Sequence, residues 1–287
     1  AATLYTNHYD LFLNSNSKDT FSISRKKASQ TSPASLTHDH QKKRAITPEN
    51  KPYLQALRIT DDQGNVFKNA QDKYRQINHY IELISPLINE IPESTKLSVV
   101  DMGSGKGYLT FALYDYLTNV AKRQSEVTGV EFRTDLVDLC NQIAKESEFS
   151  KLSFVEGTIE NYENNQTNVL IALHACDTAT DDAISKGIKA NADLIVVAPC
   201  CHKQIRREIE KNKVSNDLDF LTRYGIFMER QAEMVTDGIR ALILEYFGYK
   251  TKVFQFISDA HTPKNVMIVG VKSSKAPLQR KEILNKI

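Results

Sequence analysis

Val99-Val100-Asp101-Met102-Gly103-Ser104-Gly105-Lys106-Gly107-Tyr108 decides how this chain folds. A short apolar run ends in an acid, glycines follow at every second position, and a helix-forming stretch begins at Tyr108. Glycine accepts the left-handed backbone of a tight strand-to-helix turn and lets a ligand approach the main chain, while a helix start offers unpaired N–H donors. The spacing is G-x-G-x-G. It is neither the G-x-G-x-x-G of a dinucleotide fold nor a phosphate loop ending in Gly-Lys-Ser/Thr, because Lys106 lies between glycines. NAD is therefore not the expected cofactor.

Outward from this turn, strands and helices alternate. Apolar runs bounded by turn or helix signals predict seven strands, at 97–102, 127–132, 152–157, 168–175, 192–199, 250–257 and 265–271. Helices are predicted over 73–91, from Gly107 to about Ala121, and over 134–148, 180–190 and 235–247, the last closed by Gly248. This order predicts an α/β fold with a mostly parallel sheet. The gap between the last two strands is too short for a crossover helix, so the final strand is expected to be antiparallel. The segment Asp259-Ala260-His261-Thr262-Pro263-Lys264-Asn265 forms that turn. Residues 1–70 are polar, basic and without a clear apolar period. They are expected to be an extension or small accessory domain, disordered or helical, ahead of a main domain at 71–287.

The chain has 287 residues, enough for about two domains. No apolar run approaches the length of a membrane span, and the first 17 residues lack the basic and apolar regions of a signal peptide. Cys140, Cys176, Cys200 and Cys201 are too few for a disulfide scaffold, two are adjacent, and no C-x-x-C pair exists. A reducing cytoplasm is expected, with no membrane and no structural zinc. Net charge is +2, but it is uneven: residues 17–51 carry eight Lys/Arg against three Asp/Glu, 202–213 carry five against two, and 272–287 carry five against one. Such segments suit a polyanion, or are simply solvated faces.

Glu131 ends the second predicted strand in Thr128-Gly129-Val130-Glu131. An acid at that strand end can accept hydrogen bonds from ribose hydroxyls. Asp101-Met102-Gly103-Ser104-Gly105-Lys106-Gly107 followed by Gly129-Val130-Glu131, within a seven-strand pattern over Gln71–Lys272, resembles the class I S-adenosylmethionine (SAM)-dependent methyltransferases. That resemblance implies a Rossmann-like sheet, SAM as cofactor, and a cofactor site built from Asp101, Gly103, Ser104, Gly105 and Gly107, with Glu131 on the ribose. It implies Gly157, Thr158 and Ile159 beside the adenine, and His174 near the methyl. The family often has Asp where this chain has Thr158.

Two further clusters leave the fourth and fifth predicted strands: His174-Ala175-Cys176-Asp177-Thr178-Ala179-Thr180-Asp181 and Pro199-Cys200-Cys201-His202. In open α/β sheets ligands sit beyond the carboxyl ends of strands, so these residues are expected to face the methyl to be transferred. The H-x-C-x-x-A-T-D and P-C-C-H motifs, with the stretch 72–84, are similar to methyltransferase-like proteins related to eukaryotic tRNA 2′-O-methyltransferases. That resemblance implies an RNA acceptor, tRNA or rRNA. A protein or small-molecule acceptor and a non-catalytic SAM-binding module are the alternatives.

The cluster itself leaves several chemistries open. Its small residues can simply pack and shape the site. His174, His202 or Asp177 can take a proton from a hydroxyl or amine. Cys200 or Cys201 can add to a pyrimidine ring. His174, Cys176, Cys200, Cys201 and His202 have the ligand types of a metal site, but adjacent cysteines rarely share one ion, and no metal is expected.

Overall fold

The computed structural model describes residues 2–6, 8–15, 20–29, 44–163, 166–173, 175, 177–212, 219–256, 265–273 and 280–284. The chain divides into two units, Ala1–Lys43 and Arg44–Ile287.

The first unit is an antiparallel sheet of β1 (Ala2–Tyr5), β2 (Tyr9–Ser15) and β3 (Phe21–Lys27), in that order. Thr6 closes the first hairpin, its hydroxyl oxygen accepting from the Tyr9 N–H at 3.0 Å. Leu4 lies opposite Leu11, and Leu13 opposite Ile23. The expectation of a disordered or helical extension is thus corrected for these three strands. Phe21-Ser22-Ile23-Ser24-Arg25 alternates apolar and polar residues with the period of a strand, a signal hidden within a polar, basic composition.

The second unit opens with α1 (Pro52–Ala56), a 3₁₀ turn (Lys68–Ala70) and α2 (Gln71–Ile88). Residues 44–70 belong to this unit, so the boundary falls between Lys43 and Arg44 and not near residue 70. The reason is packing. Ile46, Tyr53, Leu54, Leu57 and Ile59 are buried in one cluster with Tyr74 and Ile77 of α2. Tyr74 Oη donates to the Ile46 carbonyl at 2.6 Å, and Tyr53 Oη donates to Asp115 at 3.0 Å.

There follow β4 (Leu97–Met102), α3 (Tyr108–Asp115) continuing into a π-helical turn (Tyr116–Val120), β5 (Ser125–Glu131), α4 (Thr134–Glu146), β6 (Leu152–Glu156), β7 (Val169–Ala172), α5 (Thr178–Lys189) and β8 (Leu194–Val197). The unit continues with α6 (Lys203–Lys211), α7 (Asp219–Thr222), α8 (Gly225–Tyr246), β9 (Tyr249–Gln255), β10 (Val266–Lys272) and α9 (Arg280–Leu284). Seven strands form one sheet in the order β6-β5-β4-β7-β8-β10-β9. The first five are parallel, and β10 runs antiparallel to both β8 and β9, as expected from the short connection. β7 and β8 are buried along their whole length, with Val169, Ile171, Leu194 and Val196 in one core cluster and Leu170, Ala172, Ile195 and Val197 in the other. That two-faced burial is why parallel strands read as unbroken apolar runs. The strand order reverses between β4 and β7, which places a crevice at their carboxyl ends. Among the described residues, no helix is long and apolar enough to cross a membrane.

Candidate functional site

β4 delivers its last residues into the glycine turn at this crevice. Gly103, Gly105 and Gly107 all have positive φ, +73°, +57° and +70°. The Gly103 and Ser104 N–H groups donate to the Val130 carbonyl at 2.8 and 3.0 Å, which locks the turn to β5. The Gly105 N–H donates to Glu131 Oε2 at 2.9 Å, while Glu131 Oε1 accepts from the Arg133 N–H and Nε at 3.2 and 3.1 Å. Glu131 is buried, so its carboxylate is fixed in place at the end of β5.

These groups border a cavity of about 690 Å³, a volume typical of small-molecule sites. Asp101, Gly103, Ser104, Gly105, Glu131, Gly157, Thr158 and Ile159 all line it. Gly107 does not. It stands at the start of α3, where a Cβ would lie about 3 Å from the Phe111 and Phe154 rings, so its part is packing under the turn. A Cβ on Gly105, in contrast, would meet no protein atom within 4 Å and would project into open space. The Ser104 hydroxyl is buried beside it without a hydrogen-bond partner. The Thr158 hydroxyl accepts from the Asn161 N–H at 3.2 Å and so holds the loop after β6. Lys73, Gln76, Tyr108 and Asp182 also line the cavity. Sequence reasoning named none of them as site residues, although Tyr108 closes the glycine motif and Lys73 and Gln76 fall within the stretch 72–84.

Asp101 is buried, and burial pushes its pKa up to about 7 against the hydrogen bond from the Thr110 hydroxyl at 2.5 Å. Its folded-state pKa therefore lies above the ordinary 3.8, so folding takes up a proton between those values and stability falls as pH rises from about 4 to about 7. Asp101→Asn keeps an oxygen for Thr110 and cannot ionise. It should match the wild type near pH ~4 and be the more stable protein near pH ~8 in urea denaturation. Equal midpoints at the higher pH would show that the buried carboxylate is fully compensated.

The expected acceptor cluster is only partly brought to the cavity. His174 and Cys176 lie outside the described residues, as do Asp259–Lys264 of the last turn. Asp177 precedes α5 with φ +54°, a strained value for a non-glycine residue. Three contacts hold it there: its Oδ1 accepts from the Gln204 N–H at 3.2 Å, and its carbonyl accepts from Arg240 Nη2 at 2.8 Å and from the Thr180 N–H at 3.2 Å. Cys200 and Cys201 are half-buried thiols outside any disulfide, with sulfurs 3.8 Å apart. His202 is buried, and its Nε2–H donates to Asp237 Oδ1 at 3.0 Å. Neither cysteine nor His202 lines the cavity. Among the described residues, no three His, Cys, Asp or Glu side chains form a metal-binding group.

Behind the cluster stands a buried network that the sequence reading missed. Arg240 of α8 is almost fully buried. It donates from Nε and Nη2 to Asp181 at 2.7 and 3.2 Å and from Nη1 to Asp237 at 3.1 Å. With the Asp177 carbonyl, one guanidinium joins α8, α5 and the β7–α5 loop, and through Asp237 the β8–α6 loop. The available signal was Asp237 and Arg240, spaced i, i+3, inside an otherwise apolar stretch of helix.

Residues 72–208 match a family model described as a methyltransferase domain. Over those residues the chain is similar to methyltransferase domains. Over 223 residues the chain is 26% identical to the Homo sapiens glutathione S-transferase C-terminal domain-containing protein, covering 70% of this chain and 33% of that protein. The chain thus spans about a third of the length of the curated relatives it matches. It is also 26% identical over 90 residues to the protein-lysine N-methyltransferase efm4 of Schizosaccharomyces pombe, covering 31% of this chain and 38% of that one. Among solved structures, a SAM-dependent methyltransferase from Aquifex aeolicus is similar with a TM-score of 0.39 and 12% identity, over 71% of this chain and 97% of that one.

The methyltransferase cavity fits SAM. It offers open space over Gly105 and a fixed carboxylate at Glu131. Gly105→Val should cost about 1–2 kcal/mol through its left-handed backbone and also fill the space the ligand needs. Calorimetric titration with SAM, alongside a thermal melt, separates the two effects. A lowered melting temperature with unchanged SAM affinity would remove Gly105 from the binding surface.

Proposed function

We propose that this domain transfers the methyl group of SAM to RNA, with tRNA or rRNA as the acceptor. The observation that carries the acceptor class is α6. This helix starts directly after His202 at the β8 end and exposes Lys203 and Arg207 one turn apart, with no acidic partner for either among the described residues. Phosphates are bound by such unpaired cations. The exposed Arg25, Lys26 and Lys27 of β3 add further positive charge, and the two strand-end motifs resemble those of tRNA 2′-O-methyltransferase relatives.

Bound in the cavity, SAM supplies an electrophilic methyl on a sulfonium, with a neutral thioether as the leaving group. The protein's work is alignment. Glu131 and the glycine turn hold the nucleoside end, and the β7 and β8 ends, with His174, Cys176, Asp177, Cys200 and Cys201, receive the acceptor. His202 acts by holding the P-C-C-H turn against Asp237, since its ring is enclosed.

A protein acceptor is the second reading, favoured by the likeness to a protein-lysine N-methyltransferase. Incubation with labelled SAM and separate pools of total RNA, total protein and metabolites decides between them. Label in RNA is expected. Label in protein alone would establish the second reading, and label in no pool would leave a SAM-binding module.

A further inference from the structure

Pro199, Cys200 and Cys201 cross from β8 to α6 in a turn that is pinned at both ends. At the first end the Ala198 N–H donates to the Ala172 carbonyl at 3.0 Å, which carries the β7–β8 pairing past Val197. At the second the His202 ring is buried against Asp237, the His202 carbonyl accepts from the Arg206 N–H at 3.1 Å, and the Gln204 N–H donates to Asp177. Neighbouring side chains on a strand point to opposite faces, so adjacency alone does not bring two thiols together. This turn does: Cys200 Sγ stands 3.8 Å from Cys201 Sγ. Both residues are half-buried, so a small solute can reach them. Cys140 is the contrast. It is buried under the glycine turn with its thiol on the Gly105 carbonyl, and burial, with the Glu131 charge, pushes its pKa up to about 12. The thiolate is the reactive form, so Cys140 is inert.

We propose that Cys200 and Cys201 are a redox-sensitive pair: hydrogen peroxide converts them to a disulfide between neighbouring residues, and a thiol reductant restores them. One thiolate attacks the peroxide, so that an S–O bond forms, the O–O bond breaks and water leaves. The second thiolate attacks the resulting sulfenic acid, so that the S–S bond forms, the S–O bond breaks and a second water leaves. The two thiols give up two electrons and two protons, and the peroxide takes them. Closing the bond draws the sulfurs from 3.8 Å to about 2.05 Å. Adjacent Cα atoms lie about 3.8 Å apart, closer than the roughly 4.4–6.8 Å that an ordinary disulfide spans. The bond is therefore strained, and strained disulfides are the ones readily reduced. With both ends of the turn anchored, the movement falls on residues 199–201. Neither cysteine lines the cofactor cavity, so oxidation should block transfer to the acceptor and leave cofactor binding alone. That consequence rests on the proposed arrival of the acceptor at the β8 end; formation of the bond does not.

The test oxidises the full chain with hydrogen peroxide, alkylates the remaining thiols under denaturing conditions and weighs the tryptic peptides. Cys200 and Cys201 fall in one peptide, Ala190–Lys203, and Cys176 in another, 152–186. The first should appear without alkyl groups and lighter by two hydrogens. Reduction with dithiothreitol before alkylation should return it doubly alkylated, and Cys140 should be alkylated throughout. In Cys200→Ser and in Cys201→Ser the lighter peptide cannot form, and dimedone should capture the remaining cysteine as its sulfenic acid. A doubly alkylated peptide after oxidation, a bond from either cysteine to Cys176, or a bond between two molecules would overturn the proposal. In the wild type, oxidation should lower methyl transfer to RNA about 10- to 100-fold, the effect of a positioning turn displaced by about 1 Å. Dithiothreitol should restore it, while S-adenosylhomocysteine affinity changes by less than about twofold. Undiminished transfer by the oxidised protein would overturn the effect on the acceptor. If the reduced protein methylates no pool, the proposed function fails, and the peptide masses still decide the disulfide.

Discussion

Arg240→Leu will destabilise the second unit by about 3–5 kcal/mol, the usual cost of removing one partner from a buried ion pair. The guanidinium uses four hydrogen bonds, two to Asp181 and one each to Asp237 and the Asp177 carbonyl. Leucine fills part of the volume but leaves the buried Asp237 with His202 as its remaining partner. Asp181 is half exposed and can turn to water, so most of the penalty belongs to Asp237. Urea denaturation measures it through the midpoint at constant slope. A second substitution, Asp237→Leu in the same protein, should recover part of the loss, because an apolar pair no longer carries an unpaired charge. A cost under about 1 kcal/mol for Arg240→Leu would mean that water already reaches the network.

Glu131→Ala will weaken SAM binding by about 1.5–3 kcal/mol for each ribose hydroxyl it holds, tenfold or more in affinity. Part of the loss is indirect. The same carboxylate accepts the Gly105 N–H and the Arg133 N–H and Nε, so alanine also frees the glycine turn. Glu131→Gln keeps an acceptor without the charge and should fall between the two. Calorimetry on folded variants reads both, and an unchanged affinity in Glu131→Ala would sink the cofactor assignment.

The sheet was legible because its strands are buried on both faces, so Val169–Ala172 and Leu194–Val197 announce themselves as apolar runs. The cofactor site was legible for a related reason: a turn that must approach a ligand needs glycines at short local spacing. What escaped depends on contacts distant in sequence. α8 starts at Gly225, ten residues before its expected start, because its buried face carries Thr236, Asp237 and Arg240 in place of an apolar stripe. Ile46, Tyr53 and Leu57 enter the core from short, irregular elements that show no period. His202 read as a chemical group facing the acceptor, and only the fold reveals Asp237, 35 residues later, as its partner. The strands within residues 1–70, expected to be disordered or helical, escaped because Phe21 and Ile23 sit in a basic, serine-rich stretch whose alternation is easily overlooked.

The place of β10 sets the order in which the sheet can be completed during synthesis. β10 is made after β9 yet lies between β8 and β9, pairing with both. When β9 leaves the ribosome, the strand that will join it to the sheet does not yet exist. Until Val266–Lys272 emerge, the apolar β8 presents a bare edge, and unpaired edges of this kind recruit other chains. In order of synthesis, the five parallel strands are therefore complete before the strand that seals their edge exists. That is the stage at which a chaperone, or a neighbouring nascent chain, would find it.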